Sequence, residues 1–448
     1  MKQKSNAVVM KRSDSSFVHT VLITGLLLIS MMLVVTQAIA DTRTQAKRMH
    51  DRLAGVPPTM AKLNEMVALL PGNPVAAALL AIDNKNFYNV TLKNFITPWT
   101  NEAQTVFPLD SGTEGTLNDY TATVIGIIRD DRDFREILFE NVLYTGKSTL
   151  GLPAYSNVNN AHYKALEERV GLDLRVDLVP ANEAVQSTIY ASISPTPFVL
   201  PAASTAGVLT SRAAAKAFFV DGTNRAMFRF TMLNHLCNDM EQVKDVTLVP
   251  DRIRQDVSRS PGGDSRIFMN ACIGCHTGMD PLTQAFAYYD YEYPLDGNMD
   301  PIYEDGKLVF NDVNDIDINK DGDPTGTRVQ EKFLINPDNF KYGYITTSDD
   351  WENYWRTGKN ALLGWNATPL ASNTGKGAGA KSMGQELAYS DAFARCQVEK
   401  VFKTVCLHPA LNQTDRNQIT NTLIPSFKSS GYHLKQVFAE TAAYCMGN

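Results

Sequence analysis

The chain has 448 residues, a net charge of −6 and an apolar fraction of 44%. The charge is mildly acidic, and no basic stripe with interleaved aromatic residues occurs, so the sequence predicts no nucleic-acid binding. Because a domain usually spans about 100–200 residues, we expect two or three domains.

The N-terminus has the pattern of a secretory signal peptide. Basic residues precede an apolar run from Val21 to Val35, and Ala38-Ile39-Ala40 provides a small-residue cleavage site. We therefore predict that residues 1–40 are a signal peptide. The alternative is an uncleaved anchor, because Phe17 to Ala40 is long enough to cross a hydrocarbon layer of about 30 Å. Both interpretations place the body of the chain in the periplasm or outside the cell, with membrane contact only through this segment.

Residues 41–258 carry a mainly helical pattern and are predicted to form one helical domain of unknown role. Gly55 and Pro57-Pro58 are typical of the breaks between its helices. His50 and His162 lie in charged helices, and we interpret both as solvated. The predicted helices are Thr44 to Leu53, Lys62 to Leu70, Val75 to Asp83, Leu117 to Ile128, Phe134 to Leu143, Ala161 to Val170, Ala181 to Ile189, Gly207 to Phe219 and Arg225 to Cys237.

The most informative motif is Cys272-Ile273-Gly274-Cys275-His276, the C-x-x-C-H attachment pattern of c-type haem. The thiols of Cys272 and Cys275 add to the haem vinyl groups, and His276 is then placed to bind the iron. The alternative is a structural disulfide or a zinc knuckle. Because the signal peptide predicts export, we favour one covalently bound haem c.

The stretch from Ser258 to Asp264 is the best candidate for a linker, so residues 259–448 are predicted as a second domain. Asp264 or Ser265 can cap the helix that carries the motif. Phe268 lies four residues before Cys272, on the same face of that helix. We predict that its ring packs against the haem edge; core packing without haem is the alternative.

A polar insert is predicted at residues 291–344. Within it, Asp317 to Gly322 resembles the start of a calcium loop, with oxygen side chains at alternate positions. Arg328 stands where such a loop needs a bidentate Glu. A solvated acidic turn is therefore favoured over a Ca²⁺ site.

Trp351, Trp355 and Trp365 are close together and are typical of the wall of a large apolar cofactor. We assign Trp355 to cofactor binding, and a plain aromatic core is the alternative. Three helices are predicted to close the chain: Gln385 to Cys406, Asp415 to Phe427 and Leu434 to Cys445.

Four cysteines lie outside the motif, and in an oxidising compartment an even number predicts two disulfides. If the last three helices run up, down and up, Cys406 lies beside Cys445, and Cys237 then pairs with Cys396. The alternative pairs Cys237 with Cys406 and Cys396 with Cys445.

Met383 is the leading candidate for the distal iron ligand. It follows the small-residue loop from Gly375 to Ser382 and precedes a closing helix, as the distal Met of small c-type cytochromes does. It could instead be an apolar contact of that helix. Met279 is a rival that lies only three residues past His276, and Met299 and His235 are weaker candidates.

Several segments resemble a known family. Ala271 to Leu282, then Ala285-Phe286 and Tyr289-Asp290, resemble the C-x-x-C-H-x-x-M-D-P-L-G-x-A-F-E-x-F-D pattern of planctomycete and myxobacterial cytochrome c-like proteins built from domains of unknown function. Thr283 and Ala287 depart from that pattern. The resemblance implies a mainly α fold, with a helical N-terminal domain followed by a cytochrome c-like haem domain, and implies no settled reaction.

Three functions remain open at this stage. An electron-transfer cytochrome with a redox partner protein is favoured. The second is a haem oxidoreductase, such as a peroxidase or oxidase, or an electron-delivering subunit of a dehydrogenase. The third is a surface or partner-binding protein with a haem domain. The sixth iron position separates the first two, because a protein ligand there favours electron transfer.

Overall fold

The computed structural model describes residues 41–108, 115–219, 222–298, 301–302, 306–319, 321–334, 336–366 and 374–447. The predicted signal peptide or anchor at residues 1–40 lies outside this part of the chain. The described chain is mainly helical, as predicted from the sequence. None of these residues lies in a helix that is both long enough and apolar enough to cross a membrane.

The α-helices fall into an N-terminal group, a central group and a C-terminal group. They are Thr42–Ala54, Met60–Leu69, Pro74–Ile82, Lys93–Ile96, Asp119–Arg129, Ala161–Glu167, Leu174–Asp177, Gln186–Ala191, Arg212–Phe218, Arg225–Thr231, Met240–Val243, Ser265–Ile267, Ile273–Thr283, Gly379–Ala388, Asp391–Cys406, Gln413–Gln418, Ile424–Ser429 and Leu434–Cys445.

Tighter and wider helical turns connect these helices. The 3₁₀ turns are Thr97–Thr100, Phe134–Leu138, Ser148–Leu150, Gly207–Thr210, Pro261–Gly263, Gln284–Phe286, Glu331–Phe333, Tyr354–Arg356 and Gly358–Leu363. The π-helical turns are Phe87–Leu92, Met232–Leu236, Phe268–Cys272 and Ile419–Leu423. Such π-turns are rare and often occur at functional sites.

Two small antiparallel sheets lie in the C-terminal half. In the first, Tyr289–Glu292 pairs with Lys307–Phe310, so that Tyr289 lies opposite Phe310. In the second, Asp350–Glu352 pairs with Lys376–Ala378. The predicted polar insert therefore contains one strand of the first sheet, and the rest of it is mostly irregular.

Local capping explains several helix boundaries. The carboxylate of Asp41 accepts a hydrogen bond from the backbone N–H of Thr44 at 2.6 Å, and Gly55 ends the first helix with φ of 70°. Asn73 and Pro74 begin the third helix in the same manner. The sequence predicted these boundaries to within a few residues.

The predicted helix from Phe134 to Leu143 was wrong beyond Leu138. Only the turn Phe134–Leu138 forms, because the following backbone bonds elsewhere: Leu143 N–H donates to Ala184 O at 3.3 Å, and Tyr144 N–H donates to the Thr123 hydroxyl at 3.1 Å. The apolar spacing reflected burial in the core rather than a long helix.

Other predicted helices also differ in extent. The segment predicted as Gly207 to Phe219 is a 3₁₀ turn, Gly207–Thr210, followed by a helix that begins after Ser211. The segment predicted as Ala181 to Ile189 is α-helical only from Gln186 onward. The segment predicted as Gln385 to Cys406 consists of two helices with a break at Ser390. The hydroxyl of Ser390 accepts a hydrogen bond from Phe393 N–H at 3.1 Å and so begins a new helix.

One large core contains buried side chains from both predicted domains, from Ala46 to Ala442. The C-terminal helix Leu434–Cys445 packs against the first helices of the chain. Arg52 Nη1 donates to Cys445 O at 2.6 Å, which joins the two ends of the described chain. Residues on both sides of the predicted boundary at 258/259 therefore contribute to the same main core.

The two disulfides have the predicted pairing. Cys237 bonds to Cys396 with a Cα–Cα distance of 5.2 Å, and Cys406 bonds to Cys445 with a Cα–Cα distance of 5.4 Å. Cys272 and Cys275 are both free. The predicted pairing of the other four cysteines is thus confirmed.

Candidate functional site

The motif lies at a junction between two kinds of helical turn. Asp264 caps the segment, and its carboxylate accepts a hydrogen bond from Arg266 N–H at 2.9 Å. A π-turn, Phe268–Cys272, follows and passes into the α-helix Ile273–Thr283, which we call the motif helix. The first thiol therefore lies at the end of the π-turn, and the second lies one turn into the motif helix.

Both thiols are partly exposed. The Sγ atom of Cys275 lies 3.6 Å from the carbonyl oxygen of Met240, to which its S–H donates. Burial raises the pKa of the Cys275 thiol. The two sulfur atoms are thus close in the chain, reduced, and accessible to a ligand.

Two glycines let neighbouring groups contact the backbone of the motif helix. The carbonyl of Gly274 accepts a hydrogen bond from Asp245 N–H at 2.8 Å, and a Cβ atom added to Gly274 would lie 3.1 Å from Val246. A Cβ atom at Gly278 would lie 2.0 Å from Nε1 of Trp355. Any larger residue at Gly278 would therefore displace the Trp355 ring.

The imidazole of His276 is oriented by a carboxylate one helical turn further along. Its Nδ1 atom lies 3.1 Å from Oδ1 of Asp280, and its side chain is 19% exposed. Among the described residues, none hydrogen-bonds to Nε2 of this ring. Because Nδ1 is bonded to Asp280, Nε2 is the ring nitrogen that is available to bind a metal.

Asp280 is fully buried and is held by arginines. Arg225 donates to its two oxygens from Nε at 2.7 Å and from Nη2 at 3.0 Å, and the backbone N–H of Arg254 donates at 3.3 Å. Burial alone would raise the pKa of Asp280, but the charge of Arg225, together with the hydrogen bond from His276 and the charge of Arg254, holds it well below its usual range. Asp280 is therefore anionic.

The carboxylate belongs to a larger buried charge cluster, formed by Arg225, Arg254, Asp256 and Asp280. Arg225 also donates to Asp256 at 2.6 Å. Burial, together with the charge of Arg225, lowers the pKa of Arg254 to about 9. With both arginines protonated the cluster carries equal numbers of positive and negative charges, so the positions of its members depend on one another.

Large apolar side chains are exposed in the segments beside the two thiols. They are Val246, Val249, Ile267 and Met269. Val246 lies against Gly274, between the two cysteines of the motif. Val246 is therefore an exposed apolar side chain in contact with the backbone between the two cysteines.

The structure places Phe268 in a small separate core with Ile253, Val257 and Ile273, and Cys272 packs against it. The guanidinium of Arg259 lies 4.9 Å from the centre of the Phe268 ring. Because the turn is π-helical, Phe268 and Cys272 do not have the spacing of an ordinary α-helix. Contact between Phe268 and the haem edge stays a prediction.

Trp355 is fully buried and packs on the motif helix at Gly278. Trp351 Nε1 donates to the hydroxyl of Ser382 at 2.7 Å, and Trp365 Nε1 donates to the carbonyl oxygen of Trp355 at 2.8 Å. The indole N–H of Trp355 has no hydrogen-bond partner among the described residues. Of the three tryptophans, Trp355 is therefore the one whose indole N–H lies beside the motif helix without a partner among the described residues.

Three of the four candidate distal ligands are buried. Met383 and His235 are fully buried, and Met279 is almost so. Nε2 of His235 is 2.8 Å from the hydroxyl of Tyr120, and its Nδ1 has no partner among the described residues. Met299 lies outside the described residues. The assignment of Met383 to the iron stays a prediction.

His50 and His162 are not solvated, contrary to the sequence-based interpretation. Both are buried, and burial lowers the pKa of each. Nδ1 of His50 is 2.7 Å from Val56 O, and Nδ1 of His162 is 2.7 Å from Pro153 O. Their charged neighbours in sequence lie on other faces of the helices, so the rings join the core.

The predicted calcium-like loop has its oxygens bonded within the chain. The carboxylate of Asp317 accepts hydrogen bonds from Asn311 at 2.9 Å and from Glu331 N–H at 2.6 Å, and Asn319 accepts from the N–H of Asp323 at 2.8 Å. Across the described residues, no group of three or more His, Cys, Asp or Glu side chains is arranged to hold a metal ion. The hydrogen bonds of Asp317 and Asn319 are those of a turn in which the polar side chains bond to the chain itself.

Sequence reasoning missed the residues that orient His276. Asp280 could have been found, because it lies four residues after His276 and a helix places such pairs on one face. Arg225 and Arg254 could not, since only the fold brings them to the motif helix. No protein-family profile, no curated protein and no solved structure matches this chain.

Proposed function

We propose that this chain is an exported c-type cytochrome that transfers electrons through one haem bound covalently to Cys272 and Cys275. His276 is the proximal iron ligand, and residues 259–448 form a cytochrome c-like haem domain. The proposal includes a redox partner protein and a periplasmic or secreted location. Haem iron supplies a one-electron couple between Fe(II) and Fe(III).

The observation that carries the proposal is the state of the motif side chains. The other four cysteines are paired in disulfides, whereas the two motif thiols are free and partly exposed. His276 has one nitrogen on Asp280 and the other without a hydrogen bond among the described residues. These side chains fit a haem c, which needs two thiols, an imidazole nitrogen and an apolar surface such as that around Val246.

The remaining residues of the site orient and desolvate these groups. Asp280 holds the His276 ring, Arg225 holds Asp280, and Trp355 packs behind the motif helix. A carboxylate bonded to the far nitrogen of a metal-binding histidine sets the tautomer and raises the basicity of the ring. In this proposal, His276 is already oriented to bind the iron before the haem is attached.

The second candidate function is a haem oxidoreductase with an open sixth position. The observation that favours it is that Met383, Met279 and His235 are all packed in the main core, whereas His276 is partly exposed. A strongly basic proximal imidazole also favours the oxidised iron. Electron transfer remains the first proposal because it needs only the haem and the residues of this cluster.

The test is expression of the full chain, with its N-terminal segment, in a host that attaches haem c. Mass spectrometry should give the chain plus one haem, and the variant Cys272→Ser/Cys275→Ser should carry none. An unmodified mass in the parent protein would contradict the proposal. The spectrum of the reduced protein with and without carbon monoxide then separates the two functions, because only an open sixth position binds the gas.

A further inference from the structure

A cavity of about 720 Å³ opens beside the helix Asp391–Cys406, and the proposed haem chemistry does not use it. Ligand-binding cavities in proteins typically span about 300–1,000 Å³. The walls come from this helix and from three other parts of the chain, around Trp99, Leu233 and Ile419. The fold thus builds a space large enough for a small organic molecule.

The charged side chains around this cavity are mostly basic. Arg395, Lys400, Lys403 and Arg416 line it, against a single acidic residue, Glu399. Within the described part of the chain, none of these four cations is within 4.0 Å of a carboxylate oxygen. The protein elsewhere pairs its charges extensively, so four unpaired cations at one cavity form a positive potential that attracts anions.

Lys400 is the innermost of the four. Its ammonium donates to the carbonyl oxygen of Asn234 and lies 4.1 Å from the centre of the Trp99 ring. That carbonyl belongs to the π-turn Met232–Leu236. An ammonium has three donors, so two remain for a ligand. Burial lowers the pKa of Lys400 to about 7, and an anion bound beside it would restore the charged form.

The rest of the lining is largely apolar. Pro98, Leu233, Pro409, Ala410 and Ile419 form this part of the wall. A small inorganic anion would leave these surfaces in contact with water. An anion with an apolar body would satisfy the cations and cover the apolar wall at the same time.

We propose that this cavity binds a small organic anion with an apolar body, such as a medium-chain carboxylate, with its carboxylate on Lys400 and its chain along Leu233 and Ile419. The proposal does not depend on haem attachment. It assigns the chain a ligand site whose lining does not include the motif residues.

The test is calorimetric titration of the folded full chain with octanoate, octylamine and octanol. Octanoate should bind one to one. Octylamine should bind at least about tenfold more weakly, because a charge-assisted hydrogen bond contributes about 1.5–3 kcal/mol and each 1.4 kcal/mol is a factor of ten. Absence of saturable octanoate binding, or equal affinity for octylamine, would overturn the proposal.

Variants locate the site. Lys400→Met keeps most of the unbranched side chain but removes the charge, and it should weaken octanoate binding about tenfold, with octanol binding unchanged. Lys47→Met, at an exposed lysine outside the cavity, is the matched control and should change nothing. If Lys400→Met does not fold, Arg416→Gln at the exposed rim replaces it and should weaken octanoate binding in the same direction. Unaltered octanoate binding in the folded variant would reject this cavity as the site.

Discussion

The Nδ1 atom of His276 lies 3.1 Å from Oδ1 of Asp280, and this carboxylate is itself fixed by two hydrogen bonds from Arg225. The pair is one turn apart on the motif helix, so its geometry follows from helical spacing. The ring is therefore oriented by a buried anion rather than by a neutral carbonyl. A ligand imidazole bonded to an anion is the more basic, and it stabilises the oxidised iron.

Replacement of Asp280 by Asn tests this effect in the haem-loaded protein. Asn keeps the shape and an acceptor oxygen but removes the charge. The reduction potential should rise, with an increase of about tenfold in the ratio of reduced to oxidised protein at a fixed potential, which is about 59 mV for a one-electron couple. The measurement is a redox titration followed by absorbance. Asp256→Asn removes a charge from the same cluster without contact to His276, and an equal shift there would contradict a specific role for Asp280.

Arg225 should be important for stability whether or not haem is bound. Arg225→Met leaves the buried carboxylates of Asp256 and Asp280 without their main partner, and loss of one member of a buried ion pair costs about 3–5 kcal/mol. Urea unfolding of the disulfide-intact protein measures this change.

The control for Arg225 is Arg266, whose side chain is 85% exposed although it also pairs with an aspartate. Arg266→Met should change the free energy of unfolding by less than about 1 kcal/mol. Similar losses in the two variants would show that the buried cluster contributes no more than a surface pair.

Much of the fold could be predicted from the sequence where the signal was local. Asp41, Gly55 and Pro74 mark helix ends through their own backbone preferences, and the helix Leu434–Cys445 was predicted with both its boundaries. The C-x-x-C-H motif is a local pattern of five residues. The disulfide pairing could be predicted from the order of the last three helices.

The rest depended on contacts between distant segments. The backbone after Leu138 bonds to Thr123 and Ala184, which no periodicity reveals. The π-turn at Phe268–Cys272 alters the spacing on which the contact of Phe268 was predicted. Arg225 reaches Asp280 only through the fold, because fifty-five positions separate them.

The two disulfides should stabilise the protein unequally. Cys237–Cys396 closes 159 residues of sequence separation and Cys406–Cys445 closes 39. In the chain-entropy description, removal of either costs about 2–5 kcal/mol, and the longer loop costs about 1 kcal/mol more. Paired Cys→Ser variants, compared by urea unfolding, measure the difference. A larger loss for the shorter loop would indicate that native contacts outweigh the entropy of the unfolded chain.

The thiol of Cys275 should react slowly in the haem-free protein. Burial raises its pKa above the ordinary value of 9.0, and the thiolate is the reactive form. Alkylation by iodoacetamide should therefore be slow at neutral pH and accelerate as the pH rises above 9. Because the folded state holds this proton more tightly than the unfolded state, the haem-free protein should also lose stability over the same rise in pH.

Peptide mapping by mass spectrometry follows Cys275 directly, and a Cys275→Ser variant gives the rate of Cys272 alone. Labelling of Cys275 as fast as a free peptide thiol would contradict the buried environment. Haem attachment should abolish the labelling of both residues, since both sulfur atoms are then alkylated by the cofactor.

The distal ligand can be tested without disturbing the core. Met383 is fully buried, so truncation to Ala would leave a cavity and cost about 2–5 kcal/mol regardless of any ligand role. Leu has a similar volume and lacks sulfur, so Met383→Leu should cost less than about 1.5 kcal/mol. If Met383 binds the iron, this variant loses the weak absorption at the red edge of the oxidised spectrum and gains carbon monoxide binding.

Met279→Leu is the matched control from the motif helix and should keep the parent spectrum. An unchanged spectrum in Met383→Leu would assign the sixth position to another residue or to none, and carbon monoxide binding by the parent protein would then favour the oxidoreductase function.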